Sequence, residues 1–561
     1  MKITAFVLVI LNISILFAST YYVSTTGNNS NDGSINYPWA TPGYGSKHIS
    51  GGDSLIVLSG DYIMNLFYVD MITPPSGSSG SPTVIIGQGV TKPKMLGAGS
   101  LFSCIQLEDS TSFVEIINLE LTSLIDTPYT GGSRGGFQGN SFINNILLED
   151  LEIHRTEMMG IDLGGDAENI IINRCNIHHT AYTCIGGPAA IGDGWVNVQI
   201  DSCYLGYAGH FYQGEDTLSI WDRPDGVGFE ESEGPIEIRY TFVEHTNGDG
   251  LDSKSRRTHI HHCIVSNCYA DGIKLWGDSS IVENTLVYGI GDNNNLSTPW
   301  CALVIDTYDV NAYFKVTNCT FWDSPERPSH YLATIQYDCP TTPITLTMRN
   351  NIFCGNKRVY CQPIANIIAN NNIFYVIDES IQITANGQDY DSLNIGNLGS
   401  DNTYGDPEFV FIPPWGQDGD FHLDQYSSGV DTGIDTGLLD DLDYFARPYN
   451  GVYDIGCYEW HPSTGVSERN GNSSTAAEKT MYISPNPAGA TVRIEMNGDS
   501  VPSEIAIYDI LGRLILKIAS QNQQLNSFLW NTDGCNPGVY FAVANNNESV
   551  ISSGRIVLLE R

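Results

Sequence analysis

Basic residues are scarce in this chain of 561 residues: 26 Lys and Arg stand against 64 Asp and Glu, a formal net charge of −38. A surface so short of positive charge excludes nucleic acid as a partner, because binding a phosphate backbone needs a basic face. It also excludes a simple electrostatic site for an acidic polysaccharide. A polyanionic substrate would need a device that inverts the local sign, and a bound divalent cation is the simplest one. The same acidity also serves the solubility of an exported protein. Long runs of helical period rich in Ala, Glu, Lys and Leu are missing, as is any apolar stretch after the first 20 residues long enough to span a bilayer. The exception, Ile3 to Phe17, is preceded by Lys2 and followed by the small residues Ala18, Ser19 and Thr20. That order predicts a secretory signal over residues 1–20, cleaved near Ser19–Tyr21.

What the chain has instead is Gly, Asx, Ser, Thr and Tyr, with 57 glycines to make turns. These features predict an all-β protein. One short pattern recurs: apolar, polar, polar, then a small or apolar residue. It reads Leu148-Glu149-Asp150-Leu151, Ile172-Asn173-Arg174-Cys175, Ile200-Asp201-Ser202-Cys203, Ile238-Arg239-Tyr240-Thr241 and Ile260-His261-His262-Cys263. It continues as Val282-Glu283-Asn284-Thr285, Val316-Thr317-Asn318-Cys319, Met348-Arg349-Asn350-Asn351 and Ala369-Asn370-Asn371-Asn372. Successive fourth positions lie 24, 28, 38, 22, 22, 34, 32 and 21 residues apart. A floor of 21–22 with variable excess is the signature of a solenoid turn plus loops that bulge from it. Equivalent side chains then form ladders along the axis. Cys175, Cys203, Cys263 and Cys319 share one inward ladder position and read as small core hydrophobes, so the odd total of 13 cysteines needs no disulfide framework.

With that repeat established, the chain resembles the pectate-lyase-like right-handed parallel β-helix superfamily. The opening segment Tyr21-Tyr22-Val23-Ser24-Thr25-Thr26-Gly27-Asn28, with Pro38-Trp39-Ala40-Thr41, is similar to the start of such exported proteins. Gly405-Asp406-Pro407-Glu408-Phe409 and Asp454-Ile455-Gly456-Cys457-Tyr458-Glu459 are similar to their closing segment. The resemblance spans residues 21–462 and speaks to fold more than to activity. Residues 463–478 read as a polar linker. Residues 479–561, with Ile483-Ser484-Pro485-Asn486-Pro487, Ile507-Tyr508-Asp509-Ile510-Leu511-Gly512-Arg513 and Pro537-Gly538-Val539-Tyr540, resemble the sorting domain of the type IX secretion system of Bacteroidetes-like bacteria. That resemblance implies a small β-sandwich that addresses the chain to the secretion machinery and places it outside the cell or on the outer surface. A carbohydrate-binding or adhesive sandwich is the alternative.

Chemistry concentrates on two consecutive rungs, Gly248-Asp249-Gly250-Leu251-Asp252-Ser253-Lys254 and Ala270-Asp271-Gly272-Ile273-Lys274-Leu275-Trp276. A 22-residue step places Asp249 under Asp271 and Asp252 under Lys274. A further step of 22 places Glu230 in the column of Asp252 and Lys274, with Asp225 on the rung before. Carboxylates stacked one rung apart repel and call for a cation. The arrangement looks like the site of the family 9 polysaccharide lyases. That resemblance implies Ca2+ held by Asp249 and Asp252, with Asp225 from the preceding rung, and Lys274, or else Lys254, as the base of a β-elimination; Glu230 and Asp271, stacked beside them, are further candidate ligands. It departs from the family pattern of paired aspartates, since Gly248 stands beside Asp249. Arg256, Arg257 and Trp276 are the candidate contacts to an acidic sugar. Tyr207, Phe211, Tyr212, Trp221 and Trp300 lie in the long insertions and suit sugar stacking or loop packing. His154, His178 and His179 could stack or hold zinc, and His259 and His261 share one strand face. Two further readings stay open: a non-catalytic β-helix that binds glycan or acts as an adhesin, and a hydrolase or epimerase on the same scaffold.

Overall fold

The computed structural model describes residues 18–461, apart from short stretches that include 211–222, 292–299 and 324–330, and most strands of segment 480–558. Residues 1–17, expected to be a secretory signal, residues 463–478, expected to be a linker, and Phe211, Tyr212 and Trp221 lie outside the described residues.

Among the described residues, three sheets of 13, 13 and 12 strands wind around one core. The chain visits them in turn: Ile143–Glu149 in the first sheet, Glu152–His154 in the second, Ile161–Asp162 in the third, then Ala167–Asn173 in the first again. Neighbouring strands are parallel and in register, Leu148 opposite Ile172 and Ile172 opposite Ile200. This is a parallel β-helix. Period-2 alternation turns Ile172, Ile200, Ile238, Ile260, Val282, Val316 and Met348 inward, where all are fully buried. Buried aliphatic side chains of this kind each contribute about 1.5–3 kcal/mol.

The recurring four-residue pattern is the corner between the first and second sheets. Its third position is left-handed on every rung: Asp150, Arg174, Ser202, Tyr240, His262, Asn284, Asn318, Asn350 and Asn371 all have φ between 43° and 54°. Asn tolerates this conformation best. Its fourth position is the inward ladder, buried throughout and ending in Asn351 and Asn372. There the Asn351 N–H donates to Asn372 Oδ1 at 3.0 Å, and Cys319 N–H to Asn351 Oδ1 at 3.0 Å. The ladder cysteines Cys175, Cys203, Cys263 and Cys319 are buried free thiols.

The last part of the helix body folds back over the outside. Asn284, Asn318, Asn350 and Asn371 donate their side-chain amides to the carbonyls of Asp440, Asp454, Ile434 and Thr432. Phe421, Leu423, Ile455 and Tyr458 pack on the outer side chains Leu286, Tyr288, Trp322 and Ile352 of the second sheet. One flank of the solenoid is therefore closed, and the third sheet keeps its own outer face. Beyond the linker, a three-stranded and a four-stranded antiparallel sheet share a core that includes Val492, Ile494, Ile507, Trp530 and Ile556, a small β-sandwich. No helix among the described residues is long and apolar enough to cross a membrane.

Candidate active site on the third sheet

Strands Val227–Ser232, Leu251–Ser255 and Ile273–Leu275 lie side by side in the third sheet. Leu251 and Ile273 point into the core and are fully buried, so Asp252 and Lys274 point outward. The register sets Gly228, Asp252 and Lys274 in one column. This corrects the expected Glu230–Asp252–Lys274 column. The step back from Asp252 to its partner is 24 residues, not 22, so Gly228 fills the place and Glu230 stands two residues further along, where the register shifts. There Glu230 meets Lys254, 2.9 Å away.

Asp225, Asp249 and Asp271 occupy the corner just before these strands, and their first task is structural. Asp225 Oδ1 accepts the Asp249 N–H at 2.8 Å, Asp249 Oδ1 accepts the Asp271 N–H at 2.9 Å, and Asp271 Oδ1 accepts the Cys301 N–H at 2.7 Å. Each carboxylate satisfies a corner amide of the next rung that would otherwise be buried without a partner. Thr183 starts the same ladder, its hydroxyl accepting the Asp225 N–H.

Asp249 and Asp252 also meet the lysines. Lys274 Nζ donates to Asp249 Oδ2 at 3.1 Å and lies 3.4 Å from Asp252 Oδ2; Lys254 Nζ lies 3.4 Å from that same oxygen. Asp252 Oδ1 is buried with no partner. Five carboxylates thus face two ammonium groups. Burial first, and then the charges of Asp249 and Asp252, push Asp225 well above the usual carboxylate range. Burial and then Asp249 do the same to Asp271, and burial raises Asp252. Burial alone would pull Lys274 down, but Asp249, Asp252 and Asp271 outweigh it and hold the ammonium above its ordinary range. Lys274 is nevertheless within reach of solvent, its side chain 21% exposed.

Carboxylate oxygens are the donor type that calcium takes, although these carboxylates do not bring three ligand atoms within 4.8 Å of one another. All candidate ligands are carboxylate oxygens, one of them buried and unpartnered. The sheet beside them is bare at Gly228, where a Cβ would come within 2.4 Å of Asp225 Oδ2. Lys274 occupies the point where Asp249 and Asp252 converge, so a cation and this ammonium compete for the same oxygens.

Arg256 forms a two-pronged pair with Asp309 at 3.2 and 3.0 Å, and Arg257 caps the Glu233 and Gly234 carbonyls. Both are thereby engaged in holding turns. Trp276 leans on Tyr308, ring centroids 5.7 Å apart, and Tyr308 is exposed. Trp300 stacks under the Arg223 guanidinium. His154 and His178 do stack, 5.1 Å apart, with His179 bonded to His178.

Sequence reasoning missed Asp306. It is fully buried, accepts the Asp338 and Cys339 N–H groups through one oxygen, and leaves the other without a partner. Burial first, then the charge of Asp338, pushes it up to about 7. A carboxyl raised in the folded state contributes stability that is complete below its unfolded value of about 3.9 and is lost as pH rises through the folded one. The thermal midpoint of Asp306→Asn, compared with that of the parent protein across this range, should therefore gain on it as pH rises. A difference that stays flat with pH would show that Asp306 is ionised throughout.

Residues 482–558 match the family model of a secretion system C-terminal sorting domain. A comparison with curated proteins gives no match. Among solved structures, the chain is similar to the pectate lyase Pel9A at 14% identity, covering 80% of this chain and 98% of that one with a TM-score of 0.46. It is similar to XylC, solved with xylose, at 12% identity over 78% and 99%, TM-score 0.47. A rhamnogalacturonan lyase is similar at 13% identity over 60% and 87%, TM-score 0.38.

Proposed function

We propose that the protein is an exported calcium-dependent lyase that cleaves a uronate-containing polysaccharide by β-elimination, and that its C-terminal domain addresses it to type IX secretion. The observation that carries this reading is Lys274, held between Asp249 and Asp252 on the outer face of the third sheet beside an unpartnered carboxylate oxygen.

In β-elimination a base takes the proton α to the uronate carboxylate. The C–H electron pair becomes the new double bond, the bond from the β carbon to the glycosidic oxygen breaks, and that oxygen leaves with a proton from solvent. Calcium bound at Asp225, Asp249, Asp252 and Asp271 would supply Lewis-acid polarisation of the substrate carboxylate, which acidifies the α proton. Lys274 can accept that proton only as a free amine. Its carboxylate partners oppose this, so base function requires Asp249 and Asp252 to be engaged elsewhere. Lys254 is likewise held as an ammonium, by Asp252 and Glu230.

Three rungs along the same face, Lys274 leads through Val304 and Thr334 to Tyr360. At ~4.8 Å per rung this is about 14 Å. Tyr331 stacks on Tyr360 with centroids 5.0 Å apart, and Tyr337 meets both rings. This cluster suits a sugar ring bound away from the scissile bond. Tyr360→Ala is expected to raise KM about threefold to tenfold with kcat nearly unchanged, read from initial rates against polymer concentration.

A second reading rests on the corner ladder: three aspartates are already committed to backbone N–H groups, as a purely structural or glycan-binding β-helix would have them. The two readings separate in one assay. The full protein is incubated with galacturonate-, glucuronate- and mannuronate-containing polymers, and unsaturated uronate is followed by ultraviolet absorbance. Product that needs calcium and stops with chelator supports the lyase. Polymer binding without product on any of them supports the binding module.

A further inference from the structure

A second site lies on the first sheet, away from the acidic cluster. In Thr258–His261 the alternation that buries Ile260 turns His259 and His261 outward together. The register sets Glu237 of the neighbouring strand directly opposite His259. One ligand atom from each of Glu237, His259 and His261 can be chosen so that all three lie within 4.8 Å of one another. Glu237 Oε1 and His261 Nε2 are 3.3 Å apart. That is the spacing of two ligands held ~2.0–2.1 Å from one tetrahedral centre. The two imidazole rings are 4.6 Å apart, centre to centre.

We propose that Glu237, His259 and His261 bind a divalent transition-metal cation of the zinc class on the outer face of the first sheet. Two imidazole nitrogens and one carboxylate oxygen select such a cation over calcium, which takes oxygen ligands. The surroundings are built as metal sites are. His261 Nδ1 is 2.9 Å from His262 Nδ1, and His262 Nε2 is 3.2 Å from Asp440 Oδ1. This relay fixes the His261 ring and leaves Nε2 turned to Glu237. Glu283, held by Lys315 at 2.7 Å, stands 3.0 Å from His259 Nε2 and orients that ring. A bound ion would tie the strand of Glu237 to the next rung and, through His262 and Asp440, to the closing segment.

The test uses the full chain, stripped with chelator and dialysed against zinc, with metal counted per chain. Cobalt in place of zinc reports four-coordinate geometry by its visible absorption. One zinc per chain is expected, with affinity lowered more than tenfold in His259→Ala and in His261→Ala and lowered in Glu237→Gln. His262→Ala should weaken binding about 10- to 100-fold, as loss of an orienting partner does. His154→Ala, in the other histidine stack, and Asp249→Asn, in the acidic cluster, should leave zinc binding unchanged. Zinc should raise the thermal midpoint of the parent protein and not that of His259→Ala/His261→Ala. Because Glu237, His259 and His261 point outward, circular dichroism should show their variants folded; Glu237→Gln, which keeps the side-chain size, is the safeguard. A folded parent protein that retains no zinc, or a double histidine variant that retains as much as the parent, overturns the proposal.

Discussion

Lys274→Ala is expected to lower the rate of calcium-dependent β-elimination by about a thousandfold, within the 10²–10⁴ that a positioned general base supplies. The loss should fall on kcat, since removing the base leaves the polymer's other contacts intact. The same variant should bind calcium at least as tightly as the parent protein, because the ammonium that competes for Asp249 and Asp252 is gone. That pairing of lost turnover with retained or improved calcium affinity distinguishes a base from a structural prop. Lys254→Ala should cost far less, its main partner being the half-exposed Glu230. The pH profile carries the same logic. Without calcium the carboxylates hold Lys274 protonated, so the active fraction grows only toward alkaline pH. With calcium engaging those carboxylates, the rising limb should move to lower pH. A Lys274→Ala enzyme that still makes unsaturated product would remove Lys274 from the chemistry.

The solenoid was legible because its ladder residues repeat with a floor set by geometry. Inward Ile172, Ile200 and Ile238, and the cysteines after them, recur wherever a rung is short enough to show the spacing. The pairing of Asp252 with Lys274 was legible for the same reason: no insertion interrupts that 22-residue turn. Glu230 was misplaced because the preceding turn is longer by two, and a two-residue error along a strand keeps the side chain on the same face while changing its partner. Asp306 was out of reach behind a 30-residue step from Trp276. The hydrogen bonds of Asp225, Asp249 and Asp271 were not legible at all, since an aspartate in a corner can turn either to its backbone or outward and the choice depends on the amide above it. The same holds for the asparagines at the outer corner. Their left-handed backbone follows from residue type, but their grip on the closing segment depends on a chain more than 60 residues later, as from Asn371 to Thr432.

That closing segment has its own keystone. Arg447 and Glu459 form an ion pair at 2.7 Å with both side chains fully buried. Glu459 also accepts the Asp454 N–H and the Tyr449 N–H, both at 3.0 Å, while Arg447 donates to the Gly456 carbonyl at 2.9 Å. These bonds shape the stretch whose Asp454 and Gly456 carbonyls accept the Asn318 amide. Glu459→Ala leaves a buried guanidinium without its counter-charge and two buried amides without a partner, and is expected to cost about 3–5 kcal/mol. The loss should be local: hydrogen exchange should quicken over residues 431–461 and along the second sheet that they cover, with protection of the rungs before residue 240 unchanged. Glu459→Gln, which keeps the acceptor and removes the charge, should be milder. Arg447→Met/Glu459→Leu should recover much of the stability lost in Glu459→Ala, because a buried pair replaced whole by apolar groups leaves no stranded charge. If the double variant is no better than Glu459→Ala, the carboxylate's bonds to Asp454 and Tyr449, not its charge balance with Arg447, hold the segment on the solenoid.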